Sequence, residues 1–125
     1  MTAEGSDAAD RRTRIAKAIV AHREAGHDSP VRFTAPDAPA VEYCDREITV
    51  QVDDAEHDRL DDLLDDFPVF KIAQPATRKA PDGEVHVSAI ADPKHAADFL
   101  DTLFLDVFER PDDYGLRVEE PGVGR

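Results

Sequence analysis

The sequence predicts an α+β fold: a ferredoxin-like βαββαβ two-layer sandwich with an extra N-terminal helix and a short extra strand. Three observations carry this expectation. Asp92 to Arg110 (DPKHAADFLDTLFLDVFER) has the period, cap and stop of an amphipathic helix. From Glu47 onward, alternating and helix-periodic segments follow one another as β-α-β-β-α-β, the order of the split βαβ unit under right-handed crossovers. With 125 residues, the chain has the length of one domain with a core of modest size.

Asp92 suits an N-cap and Pro93 the first helical position, where no N–H is needed. Pro111 is expected to stop the helix, with Arg110 at the negative end of its dipole. Projected at 100° per residue, Ala96, Ala97, Phe99, Leu100, Leu103, Phe104, Val107 and Phe108 share one half of the cylinder. Asp98, Asp101, Thr102, Asp106 and Glu109 share the other. So wide an apolar arc calls for a sheet beneath it and another element alongside. Leu105 points into the polar half, either as a single exposed leucine or as a contact for a second chain.

In chain order, residues 1–6 read as a disordered tail and residues 7–120 as one α+β domain. A helix runs from Asp7 to Ala25 and ends at Gly26. Its stripe is Ile15, Ala18 and Ile19 with His22 and Ala25 beside them, and Arg11, Arg12, Arg14, Lys17 and Arg23 dress much of the remainder. Residues 27–40 carry three prolines and read as a linker, with Val31 to Thr34 a candidate edge strand. Val41 and Tyr43 are odd, whereas Ile48, Val50 and Val52 are even, so a turn or bulge is expected near Cys44 to Arg46.

The βαββαβ core spans 47–119. Glu47 to Val52 is its first strand. Asp53 caps a helix to Asp66 with Leu60, Leu63, Leu64 and Phe67 inward and Asp58, Asp61, Asp62 and Asp65 in water. Val69 to Gln74 is the second strand, a Pro-Asp-Gly turn closes the 75–83 loop, Glu84 to Ala91 is the third strand and Leu116 to Glu119 the fourth. Residues 121–125 are a tail. The open sheet face would show Thr49, Gln51, Lys71, His86 and Ser88 unless the N-terminal helix covers it. A different α+β sandwich, with the Val41 strand as a fifth member, is the alternative.

The net charge of −13 comes from 28 acidic against 15 basic residues, with 19 Asp and only 4 Lys. An acidic, Lys-poor surface is that of proteins working in molar salt, where the Debye length of about 3 Å weakens repulsion between carboxylates. The same charge argues against a nucleic-acid partner. Residues 1–33 carry +1 and residues 34–125 carry −14, so the N-terminal helix is expected to dock on the acidic body. No apolar run reaches the length of a membrane span, and the N-terminus lacks the apolar region of a signal peptide. Cys44 is the only cysteine, which fits a reducing cytoplasm.

Ala18 to Gly26 (AIVAHREAG), Arg59 to Ile72 (RLDDLLDDFPVFKI) and Ala91 through Pro111 to Tyr114 resemble a family of small uncharacterised haloarchaeal proteins. The shared motifs are helix stripes, caps and the Pro-Asp-Asp-Tyr turn. The resemblance implies a salt-adapted cytoplasmic setting and carries no catalytic, cofactor or metal residue.

Candidate chemistry is sparse. His57 with Asp53 and Asp61, and His95 with Asp92 and Asp98, have helical spacing but match no established metal motif. His22 and His27 lie near a helix end. Cys44 lacks a nucleophile elbow, and the six glycines are too scattered for a phosphate cradle. No catalytic residue, metal or cofactor is therefore expected. The leading expectation is a non-catalytic interaction or regulatory module of a halophilic cytoplasm, with a protein partner or homodimer and no membrane. The alternative is a small anionic ligand or metabolite held by Lys71, Arg78, Lys79 and His86 on the sheet face and the 75–83 loop. A small metal-dependent or thiol enzyme ranks last. Leu105 is the candidate partner contact.

Overall fold

The computed structural model describes residues 7–25, 30–44, 46–73 and 83–119. The expected tails 1–6 and 121–125, the Gly26 cap and the loop tip with Arg78 and Lys79 lie outside these residues. The fold is α+β, with three α-helices on one face of a six-stranded antiparallel sheet. Its elements are α1 (Ala8–Ala25), β1 (Val31–Thr34), β2 (Val41–Cys44), β3 (Glu47–Gln51), α2 (Asp54–Asp66), β4 (Lys71–Ala73), β5 (Glu84–Ser88), α3 (Pro93–Thr102) and β6 (Arg117–Glu119).

The strand order is β4-β5-β3-β2-β1-β6. A ferredoxin-like sheet would place β6 beside β3. Here β2 takes that position, and β6 pairs with β1 at the far edge, Phe33 opposite Val118. The reason is local. Cys44 pairs with Glu47 and Tyr43 with Ile48 across a short hairpin. Its turn residue Arg46 has φ of 63°, which suits the right-handed twist of paired strands. A sequence neighbour joined by so short a loop occupies β3's edge at less entropic cost than a strand seventy residues away. Val31–Thr34 is consequently an interior strand rather than an edge, and the segment expected to be a linker contributes to the sheet.

The sheet alternates cleanly. Val31, Phe33, Val41, Tyr43, Ile48, Val50, Val85 and Val87 face the helices and are buried, in cross-strand pairs such as Ile48–Val87 and Val50–Val85. Arg32, Gln51 and Lys71 on the opposite face are exposed, and Thr49, His86 and Ser88 are half-buried. Helix α1 therefore does not cover that face. Ile15, Ala18 and Ile19 of α1 join the core on the helical side, where α1 packs along α3 and touches β1 and β6.

Helix α2 opens with a reciprocal capping box. Asp53 accepts from the Glu56 N–H at 2.8 Å, and Glu56 accepts from the Asp53 N–H at 2.9 Å. Asp92 caps α3 by accepting the His95 N–H at 2.7 Å, with Pro93 in the first turn. The regular helix does not continue to Arg110. Leu103–Val107 forms a π-helical turn, the Phe108 N–H donates to the Leu103 carbonyl, and Glu109 at φ 53° ends the run before Pro111. The wider turn advances each residue by less than 100°, so the straight projection fails here. Leu105 is half-buried and packs on the core instead of projecting into solvent. Helix α2 packs on this π turn and α1 on α3, which supplies the flanking neighbours that the wide apolar arc requires.

A stacked aromatic group fills the space between α2 and α3. The Phe70 and Phe99 rings lie 4.3 Å apart and nearly parallel, Phe67 meets both edge-on, and the His95 ring tilts over Phe67 and Phe70. Gly83 turns into β5 at φ 83°, and a Cβ there would stand 3.0 Å from the Val52 carbonyl oxygen that faces it.

Candidate functional site

Arginine does most of the polar joining between elements. Arg14 donates to the Leu116 carbonyl at 2.8 Å, Arg23 to the Ala91 carbonyl at 2.7 Å and the Tyr43 hydroxyl at 3.0 Å, and Arg59 to the Val107 carbonyl at 2.9 Å. Arg110 reaches the Phe108 and Pro36 carbonyls. The planar, five-donor guanidinium suits such bridging better than an ammonium. The excess of Arg over Lys thus has a structural use in this chain.

The strongest of these joints is Arg11. It is completely buried, not on the solvent side of α1 as its helical position suggested. Its Nε donates to Asp101 Oδ1 at 2.7 Å, and its Nη1 donates to the Asp112 and Tyr114 carbonyls at 2.8 and 3.3 Å. The guanidinium lies over the Tyr114 ring, 4.0 Å from its centroid, and the Tyr114 hydroxyl donates to the same Asp101 oxygen at 2.9 Å. Asp101, expected on the polar half of its helix, is 1 % exposed because α1 lies over it. Burial first, then the adjacent Asp101 charge, raises the Tyr114 hydroxyl far above the ordinary range, so it stays a donor. A cluster so enclosed locks α1, α3 and the 112–114 turn together and offers a substrate no approach.

Of the candidates for metal chemistry, the structure brings together only His57 and Asp61 among the described residues. Asp53 and Asp92 cap helices, His57 lies 3.4 Å from Asp61, and His95 packs on phenylalanines. Among the described residues, no three His, Cys, Asp or Glu side chains are grouped to hold an ion. Cys44 is half-buried on the open sheet face beside Glu47, not in the core.

The open sheet face holds two of the four residues expected to bind an anion. Lys71 is exposed on the edge strand opposite Ser88, and His86 is two residues along from Ser88, on the same face. The His86 Nε2 lies 2.7 Å from Glu84 and its Nδ1 3.7 Å from Glu47 and 3.3 Å from the Thr49 hydroxyl. Two carboxylates around the imidazole make this spot repel anions. Arg32 on the same face is taken by Glu42 and Glu119.

A different feature emerges between α1 and α3. An open groove of about 570 Å³ runs between the two helices. Its floor is largely apolar, formed by Ala9, Thr13 and Ala16 of α1 and by Pro93 and Ala97 of α3. Arg12, Lys17 and Lys94 stand on its rim with Asp92 and Asp98. Arg12 is 3.7 Å from Asp98 and 3.5 Å from Asp101, bridging the helices. Lys17 and Lys94 are exposed and make no ion pair with the described residues. The volume falls in the range of ligand sites, about 300–1,000 Å³. Sequence reasoning missed this place because it needs two helices far apart in the chain, α1 (Ala8–Ala25) and α3 (Pro93–Thr102). Its one legible sign was the +1 charge of residues 1–33 against −14 for the rest.

No helix among the described residues is long and apolar enough to cross a membrane. Neither curated proteins nor solved structures give a match. Residues 1–121 match the model of a family of unknown function, DUF7975, and the chain belongs to that family.

Proposed function

We propose that the chain is a non-catalytic interaction module of a salt-adapted cytoplasm, and that it binds through the groove between α1 and α3. The observation that carries this reading is the pair of exposed lysines, Lys17 and Lys94, which make no ion pair among the described residues and flank an apolar floor in a chain of net charge −13. Exposed Asp58, Asp61, Asp62, Asp65 and Asp66 crowd α2, so an anionic molecule is repelled over much of this surface. At the groove it meets three cations and apolar area together, the two rim acids being held by Arg12 (Asp98) and by the cap of α3 (Asp92). The buried Arg11–Asp101–Tyr114 cluster supports a structural and not a catalytic use of the charged interior. The acidic surface and the lysine-poor composition support the salt-adapted setting, and the single cysteine supports the cytoplasm.

The test is a titration with the anionic apolar dye anilinonaphthalene sulfonate, followed through amide chemical shifts. Shifts are expected on Ala9–Lys17 and Lys94–Asp98. The Lys17→Glu/Lys94→Glu variant should bind the dye at least fivefold more weakly while keeping its thermal midpoint. Shifts confined to the open sheet face, around His86 and Lys71, would overturn the reading in favour of a ligand there.

A further inference from the structure

We infer that the occupant of the groove is an amphipathic helix of another protein, with acidic residues on both flanks of its apolar stripe. This rests on the groove being the binding surface and names the class of partner. Ala9, Thr13 and Ala16 sit at i, i+4 and i+7, one face of two helical turns, and Pro93 and Ala97 sit at i and i+4 on the facing helix. Two small-residue lines side by side leave a trough about 12 Å long, at 1.5 Å per residue over Ala9–Lys17. Small side chains in both walls admit large apolar side chains from a third helix, the helix-in-groove mode of recognition. The trough is open to solvent along one side, so an alkyl chain lying in it would stay half wet, whereas a helix brings its own polar outer face.

The charges are placed for a helix as well. Lys17 stands on α1 and Lys94 on α3, on opposite sides of the floor; of the two acids on the same rim, Asp98 is paired with Arg12 and Asp92 caps α3, which leaves the lysines as the rim charges with no ion pair among the described residues. They would meet acids on the two flanks of a docked helix, as flanking charges do beside a coiled-coil seam. A second copy of this chain is a poor fit. Its most acidic helix, α2, buries Leu60 and Leu63 and packs Leu64 and Phe67 on its own core, leaving no apolar stripe to offer.

The experiment uses the full chain and a synthetic peptide of about 16 residues, long enough to form a helix on binding. Leucines stand at i, i+4 and i+7, a stripe of about 10 Å at 1.5 Å per residue, with Glu on both flanks. Binding is followed by fluorescence anisotropy and amide shifts, beside three controls: the same residues in scrambled order, a Lys-flanked version, and laurate. The Glu-flanked peptide should bind in the groove and gain helicity, at least tenfold more tightly than the scrambled one. Lys17→Glu/Lys94→Glu should reverse the preference to the Lys-flanked peptide, a swap that loss of folding cannot produce. Laurate or the sulfonate dye shifting the groove amides while the peptide does not would overturn the inference and leave the groove reading standing. Neither dye nor peptide shifting those amides would overturn both. Self-association of the chain through the groove would overturn the helix partner in favour of a second copy.

Discussion

Asp101→Asn is the most direct probe of how this fold is held. Asparagine keeps the shape and an acceptor oxygen, so the hydrogen bonds from Arg11 Nε and the Tyr114 hydroxyl can persist, and the change isolates the charge. Arg11 then keeps a full positive charge at zero exposure, with two backbone carbonyls and the Tyr114 face as its closest described partners. Removing one partner of a buried ion pair costs about 3–5 kcal/mol. The surviving carbonyl bonds and ring contact place the expected loss near the lower end, at about 3 kcal/mol. With a urea slope of about 1–3 kcal/mol/M, the unfolding midpoint followed by circular dichroism should fall by roughly 1–3 M. Replacing both partners, as Arg11→Met/Asp101→Leu, should cost less than the sum of the two single changes, because no unpaired charge remains inside even though the Tyr114 hydroxyl loses its acceptor. A loss below about 0.5 kcal/mol for Asp101→Asn, or a double variant as weak as the sum of its singles, would refute the account of a desolvated pair.

Leu100 is fully buried at the centre of the α3 stripe, so Leu100→Ala should cost about 2–5 kcal/mol in the same assay, and a change within about 0.5 kcal/mol would mean that face is misassigned. Tyr114 carries a folded-state pKa raised above its unfolded value, so its contribution is complete below pH ~10 and is lost as pH rises further, when only the unfolded chain releases the proton. Tyr114→Phe should therefore show a shallower alkaline decline in unfolding free energy than the parent; parallel declines would count against the buried hydroxyl. Lowering salt from molar to millimolar should destabilise the chain, since its carboxylates then repel over a longer range, and equal urea midpoints at both salts would remove salt adaptation as the cause of the charge.

Local features were legible because they depend on neighbours in the chain. Asp53 and Asp92 announce their helices, Pro93 its first turn, and the shift from odd to even apolar positions announces the turn at Arg46. The Leu60, Leu63, Leu100 and Phe104 stripes read correctly for the same reason. Lys71 and His86 were placed on a common sheet face by period-two alternation alone. The carboxylates that flank His86 lie on its own strand and the one beside it, and a residue list does not say which strand that is.

By itself, then, the sequence determined where the capped helices start, most of their apolar faces, the acidic net charge and the α+β class, all of which follow from composition, hydropathy period and capping within one segment. Tertiary structure alone decided that β2 occupies the edge of β3 and sends β6 across to β1, since strand order is a competition between distant pairings that loop length and helix docking resolve. It also decided the fates of two side chains with the same local signature. Arg11 vanished into an ion pair because α3 lay over it, while Lys17, further along the same helix, was left at the mouth of a groove. Burial of a charge depends on what packs against it, and in this chain that neighbour comes from the opposite end.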